Sequence, residues 1–375
     1  MRLPQASDPA FFDQTFRPDH AAWRAGIVEV CAAHGLKCDI VSPFADGSNL
    51  VAVVNDRWVV KIFPTFHHHQ WESERRVLAH LRGETLPLKV PTLIAEGTRD
   101  DGWLYVVMEK LPGLALATCW DEIGTHDRVS VMEQIGSTMA AVHRLPLGEL
   151  ASLPPEWGAF LRNQKVNCRK RHTSLGVPQW FEQGLDDLVG EWAPENEVED
   201  RVLLTGEYTP FNVLVQRDAT GWQLTEMIDF GDAMVGPRDY DFLGPSMFSC
   251  AGEPLLVTAL LRGYFGKVHP MNRQTRMRLM ALAALHRYAN FNVQLCIFGG
   301  YVSKAMDRLV VVSDVQDFSA SVGPTYRSND AASSSAGRSK RFEYSSNTLS
   351  TRTVAFGPPR CRTRRTNSSS GASMK

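Results

Sequence analysis

The chain has 375 residues, 43% hydrophobic and 22% charged, with a formal net charge of −1. It is long enough for two ordinary domains or one two-lobed unit with a large core, and its composition is that of a soluble globular protein. The near-neutral balance excludes bulk charge as a means of holding nucleic acid or an anionic membrane, so neither is expected as a partner.

The opening MRLPQASDPAFFDQTF lacks a charged segment followed by an apolar core, so no signal peptide is read there. No run of about 18 apolar residues occurs, and no membrane span is expected. Seven cysteines, at 31, 38, 119, 168, 250, 296 and 361, form no CxxC pair and no metal-like spacing. They read as reduced thiols of a cytoplasmic protein. Between 38 and 63, two apolar stretches flank a Gly-containing turn and run into DRWVVKIF, whose β-branched residues and alternation predict strands. QWESERRVLAHLR (70–82) has helical spacing, with Trp71, Val77, Leu78 and Leu81 on one side. WLYVVMEKL (103–111) reads as a buried strand that Pro112-Gly113 turns off.

After 113 the pattern becomes helical. Residues 126–144 place Val129, Met132, Ile135, Met139 and Val142 near one face, and 178–193 and 254–310 are helical in pattern. The basic stretch KVNCRKRH (Lys165–His172) reads as an exposed loop. Strands are expected on both sides of a loop within 202–215, and again over 222–230. From 326 to 375 ten Lys/Arg face only Asp330 and Glu343, with few apolar residues, so disorder is expected. The organisation is a strand-rich lobe over 1–110, a helix-rich lobe over 111–312 and a Ser/Arg-rich tail over 313–375.

Four pieces carry chemistry. The turn Phe44-Ala45-Asp46-Gly47-Ser48-Asn49 either covers a phosphate with backbone N–H groups or is a plain hairpin. Lys61, among apolar strand residues, needs a partner if buried; Glu74 or Glu72 could supply one, and the alternative is an edge lysine reaching water. In TGEYTPFNVLV, Glu207 offers a carboxylate for a hydroxyl and Asn212 a hard oxygen for Mg²⁺. In IDFGD, Asp229 leaves an apolar strand where a carboxylate can chelate Mg²⁺ between nucleotide phosphates. The order Lys61, Glu74, a hinge at 108–113, Glu207/Asn212 and Asp229 is that of a kinase-type fold.

Taken with VVKIF, ESERRVL, VPTLIAEG, GWLYVVMEKLPG, AAVHRLPL and IDFGDAMVGPRDYDF, these pieces resemble the aminoglycoside phosphotransferase family from about residue 40 to 300. Within it, the hygromycin-B 7''-O-kinase branch looks most similar. The resemblance implies an α+β, two-lobed protein-kinase-like fold and an ATP- and Mg²⁺-dependent transfer to a small-molecule hydroxyl. Lys61 would contact the α/β-phosphates, held by Glu74; Ser48 would lie in the phosphate-covering turn. Backbone of Met108, Glu109 and Lys110 would meet adenine, Asn212 and Asp229 would bind the metal, and Glu207 would be the catalytic carboxylate. Asp241, in RDYDF, would be structural.

The chain departs from that family at one place. His-Gly-Asp is replaced by Thr205-Gly206-Glu207, which removes an imidazole that braces the loop and lengthens the carboxylate by one methylene. A displacement of about 1 Å can cost about 10²-fold, so a nucleotide-binding scaffold that no longer transfers phosphate stands as the alternative. A protein kinase is disfavoured by the missing Gly-x-Gly-x-x-Gly turn and the short path from Asp229 to PRDYDF. Eight acids between Glu182 and Asp200 suit either a cationic acceptor or a solvated helix face.

Overall fold

The computed structural model describes residues 2–4, 8–44, 47–177, 179–193, 200–269, 271–287 and 289–290. Helix α1 (His20–Ala33) precedes strands β1 (Val41–Pro43), β2 (Leu50–Val54) and β3 (Trp58–Phe63). Helix α2 (His68–Leu81) leads to β4 (Leu93–Thr98) and β5 (Leu104–Glu109). The strands make one antiparallel sheet in the order β1-β2-β3-β5-β4.

Strand alternation decides which lobe face each side chain serves. Val60 and Ile62 join Leu50, Ala52 and Val54 in a core closed by Trp23, Ile27 and Val30 of α1. Phe63 points the other way, into a core with Val77, Leu78 and Leu81 of α2. Lys61, between Val60 and Ile62, is thereby delivered to the α2 face.

The second half begins with β6 (Leu114–Ala115), α3 (Thr125–His143), α4 (Trp157–Ser174) and α5 (Gln179–Trp192). Then come β7 (Arg201–Leu204), β8 (Val213–Asp218), β9 (Gly221–Met227), β10 (Met234–Pro237), α6 (Pro254–Phe265) and α7 (Arg273–Leu285). β6, β8 and β9 form one small sheet and β7 pairs with β10. Helices α3 and α6 cross closely through two glycines. A Cβ on Gly136 would lie 2.1 Å from the Leu260 carbonyl oxygen, and one on Gly263 would lie 2.0 Å from that of Glu133. The part up to Glu109 is sheet-rich and the rest is largely helical, as the α+β reading expects.

Two sequence readings change. Lys165–His172 is part of helix α4, with Cys168 and His172 buried. Arg169 and Lys170 lie on its outer side, while the Arg171 guanidinium and His172 Nε2 both donate to the Ala284 carbonyl, at 2.8 and 2.9 Å. Helix α1 and strand β10 have no counterpart in the sequence reading. The helical stretch expected over 254–310 is two helices broken at Gly266, whose φ of 70° suits glycine; its end, the 312/313 boundary and the tail lie outside the described residues. No helix among the described residues is long and apolar enough to cross a membrane.

Candidate functional site

The β8–β9 hairpin sets the centre of the site. Val213 pairs with Met227, so Asn212 and Ile228 flank the same end, and the Ile228 amide donates to the Asn212 carbonyl at 2.9 Å. Asp229 follows with φ 64°, an unusual left-handed conformation for a non-glycine residue that aspartate tolerates better than most. Such backbone strain is common at functional sites.

Lys61 is 6% exposed and Glu74 1%. The Lys61 ammonium donates to Glu74 Oε2 at 2.7 Å and to Asp229 Oδ1 at 2.8 Å. Of the two partners offered by the sequence, Glu74 is therefore the one used; Glu72 pairs instead with Arg76 at 3.3 Å. Burial alone would lower the pKa of Lys61, but Asp229 and Glu74 outweigh it and raise it. Burial lifts Glu74 to about 7 against the pull of Lys61, with Asp229 adding to the rise. The Phe230 amide also donates to Glu74, at 3.3 Å, so helix α2 joins the sheet-rich half to the segment after β9.

This pair yields a stability prediction. Lys61→Ala should cost about 3–5 kcal/mol, because it strips a buried carboxylate of its partner. Without the ammonium, Glu74 should titrate above its present value of about 7, against 4.5 when unfolded. The native state then holds a proton that the unfolded chain has lost, and stability falls as pH rises through that window. Urea midpoints should therefore show a larger loss at about pH 8 than at about pH 5.5. A pH-independent loss would remove Glu74 as the stranded group.

In the loop between β7 and β8, Asn212 is 8% exposed and its amide nitrogen donates to Glu207 Oε2 at 2.5 Å. That turns the Asn212 side-chain oxygen, the metal-type donor, away from Glu207. Burial raises the pKa of Glu207 well above the usual carboxylate value, reinforced by Asp232 and Asp229. The loop is braced through its backbone. Asp241 Oδ2 accepts from the Thr205 amide at 3.0 Å and Oδ1 from the Gly206 amide at 2.7 Å. His143, at the end of α3, donates from Nε2 to the same carboxylate at 3.0 Å, while its Nδ1 meets Tyr264 Oη at 2.9 Å. Support thus comes from Asp241 and His143, with Thr205 Oγ1 adding a long hydrogen bond accepted from the Glu207 amide at 3.5 Å.

Ser48 lies in the turn between β1 and β2, as read; Ala45 and Asp46 are outside the described residues. Ser48 Oγ and Asn49 Nδ2 both donate to Gln70 Oε1, at 3.4 and 2.9 Å. Gln70 Nε2 in turn donates to Asp232 at 3.4 Å. Met108, Glu109 and Lys110 sit at the end of β5, but the amides of Glu109 and Lys110 are engaged by the Thr92 and Arg57 carbonyls, at 3.0 and 2.9 Å. Among the described residues the Leu111 amide, one position on, has no such partner.

Three residues escaped the sequence reading. Asp232 was visible inside IDFGD, three positions after Asp229, but nothing local distinguished it. Its ion-pair partner Arg287 lies 55 residues away and left no sequence signal. His143 was quoted in AAVHRLPL without a role. Of the acid run 182–200, Asp186, Asp187 and Glu191 are exposed on α5; Asp186 pairs with Arg169 of α4 and Asp200 with Arg238 at 3.7 Å, both at the surface. Glu195, Glu197 and Glu199 lie outside the described residues.

The donor set suits Mg²⁺. Asp229, 45% exposed at its side chain, and the Asn212 amide oxygen are hard oxygen ligands of the kind that leave positions for phosphates and water. No group of three or more His, Cys, Asp or Glu side chains able to hold a metal occurs among the described residues. Mg²⁺ in kinase-type sites does not need one.

Residues 40–279 match a family described as "Phosphotransferase enzyme family". An aminoglycoside 3'-phosphotransferase of Streptomyces fradiae is 30% identical over 173 residues, which is 45% of this chain and 60% of that relative's length. The GDP complex of wild-type aminoglycoside 2'-phosphotransferase-IIIa aligns over 79% of this chain and 99% of its own, with TM-score 0.56 and 16% identity. A GDP and kanamycin complex of APH(2'')-IIIa gives TM-score 0.55 and 18% identity over 78% and 99%. At those identities the two structures speak for the fold.

Proposed function

The chain belongs to the phosphotransferase enzyme family, and from that premise we propose that it transfers the γ-phosphate of ATP, with Mg²⁺, to a hydroxyl of a small molecule. The observation that carries this reading is the convergence of Glu74 and Asp229, drawn from α2 and the segment after β9, on the ammonium of Lys61 from β3, which donates to both. They line the cleft that Glu207 and Asn212 enter from the next loop.

Lys61 would hold the α/β-phosphates, oriented by Glu74. The Leu111 amide would meet the base, in place of the engaged amides at 109 and 110. Asp229 and the Asn212 oxygen would hold Mg²⁺, which when bound neutralises phosphate charge. Glu207 would orient the acceptor hydroxyl and take its proton. The acceptor oxygen bonds to the γ-phosphorus as the bond to the β,γ-bridging oxygen breaks, and ADP leaves. Hydroxylated aminocyclitol antibiotics such as hygromycin B are the acceptors that the resemblance proposes. A nucleotide-binding scaffold is the competing reading, favoured by Thr205 and by the raised pKa of Glu207.

Full-length protein should show a Mg²⁺-dependent thermal shift with ATP, read beside GTP, and phosphate transfer to hygromycin B or another hydroxylated acceptor. A shift without transfer across a broad acceptor panel would establish the scaffold. No shift with either nucleotide would overturn both readings.

A further inference from the structure

The peptide unit that leads into Glu207 is held from a distant part of the chain. Its amide side is loosely tied: the Glu207 N–H donates to Thr205 Oγ1 at a long 3.5 Å. Its carbonyl side, the Gly206 oxygen, accepts from the ring of His286, the residue that follows α7. His286 is 1% exposed, and its ring lies on that of Tyr240, with centroids 5.1 Å apart and planes at 22°. Burial, with Arg287 and Arg171 close by, pushes the ring down to about 3, so it is a neutral imidazole with one N–H to donate. Tyr240 fixes the plane of that ring, and Gly206 takes its proton donor.

The next residue grips the other side of Glu207. Arg287 pairs with the Asp232 carboxylate and donates to the Asp232 carbonyl at 3.4 Å. Asp232 in turn meets the Glu207 side chain. The two gripped segments touch, since a Cβ on Gly206 would lie 3.2 Å from the Asp232 carbonyl oxygen. The footing of the grip is α4, whose Arg171 and His172 donate to the Ala284 carbonyl two residues before His286, at 2.8 and 2.9 Å. Gly206 needs such support. It has φ 71°, and a glycine restrains the peptide beside it less than any other residue. It is also buried, so a carbonyl turned away from His286 would lose its hydrogen bond without gaining water.

We propose that His286 is a positioning residue for the transfer: by holding the Gly206 carbonyl it sets the peptide plane from which Glu207 projects, and so the direction of the carboxylate toward the acceptor hydroxyl. The inference rests on the phosphotransfer reading above for what Glu207 does, and adds the group that aims it.

The test compares three variants of the full chain. His286→Phe keeps a flat ring on Tyr240 and removes the donor. His286→Asn and His286→Gln keep an N–H near the places of the two ring nitrogens. Amide hydrogen exchange reads the segment 205–208 without any need for turnover. In His286→Phe that segment should exchange about tenfold faster than in the wild type, while 70–81 of α2 is unchanged. Phosphate transfer from Mg·ATP to hygromycin B should fall about ten- to a hundredfold in kcat, with KM for ATP within about twofold of the wild type. At least one of the two amide variants should recover both readouts. Unchanged exchange in folded His286→Phe, or equal losses in all three variants, would overturn the proposal. Should His286→Phe not fold, faster exchange in both amide variants would do the same. A wild type with neither a nucleotide thermal shift nor transfer loses the phosphotransfer reading, and the exchange comparison still decides whether His286 holds the loop.

Discussion

Glu207→Gln should lower kcat by about 10²- to 10⁴-fold, the usual weight of a positioned general base, while Mg·ATP affinity stays within about twofold. The substitution keeps the shape of the side chain. A glutamine carbonyl can still accept from Asn212 Nδ2, which now donates to Glu207 Oε2 at 2.5 Å. What disappears is the ability to take a proton. The wild-type acid limb of kcat/KM should lie above the ordinary glutamate value of 4.5, since burial and then the charges of Asp232 and Asp229 raise this group. Activity accordingly rises with pH through that limb as Glu207 loses its proton, and bound Mg²⁺ would draw the limb back down by favouring the carboxylate. The variant should lack the limb. Unchanged turnover in Glu207→Gln would assign proton acceptance elsewhere.

Asp229→Ala should remove turnover by about three orders of magnitude or more, roughly 4 kcal/mol of lost transition-state stabilisation. The Mg²⁺ dependence of the nucleotide thermal shift should vanish with it. The fold should tolerate the change better than Lys61→Ala, because Lys61 still has Glu74 at 2.7 Å. Asp229 also holds a strained backbone at φ 64°, a conformation in which alanine is less comfortable than aspartate. A small loss of stability is expected from that alone. Asp229→Asn keeps the backbone preference and separates the two effects: it should recover the stability and leave turnover low. Full Mg²⁺-dependent activity in Asp229→Ala would remove Asp229 from the metal site.

Much of this centre was legible because its determinants are local. Lys61 reaches the α2 face by strand alternation alone, with Val60 and Ile62 committed to the opposite core. Asn212 and Asp229 come together because β8 and β9 form a short hairpin whose register is set by its own turn. Helix α2 was readable from the spacing of Val77, Leu78 and Leu81, and Glu74 rides on it. KVNCRKRH was misread because its charges hide a buried stripe: Cys168 and His172 face inward four positions apart, one helical turn, with the Arg171 guanidinium beside them on the Ala284 carbonyl, while Arg169 and Lys170 stay outside. Charge density resembles a loop when the two inward residues are a cysteine and a histidine and not leucines. The unusual Thr205 suggested a loop without a brace. The backbone carried it instead, through a carboxylate whose sequence position gives no hint of its target.

The sequence by itself determined the two-part α+β architecture and the identities of the phosphate, metal and hydroxyl candidates, since residue type, strand period and hairpin length act over a few positions. Only the tertiary structure decided that Glu74 and not Glu72 answers Lys61, and that Asp241 and His143 hold the 205–207 loop. It also decided that Arg287, 55 residues on, pairs with Asp232. Those outcomes depend on which groups, up to 168 residues apart in the Lys61–Asp229 pair, share one desolvated space. In such a space the cost of an unpaired charge selects the partner, and no local pattern encodes it.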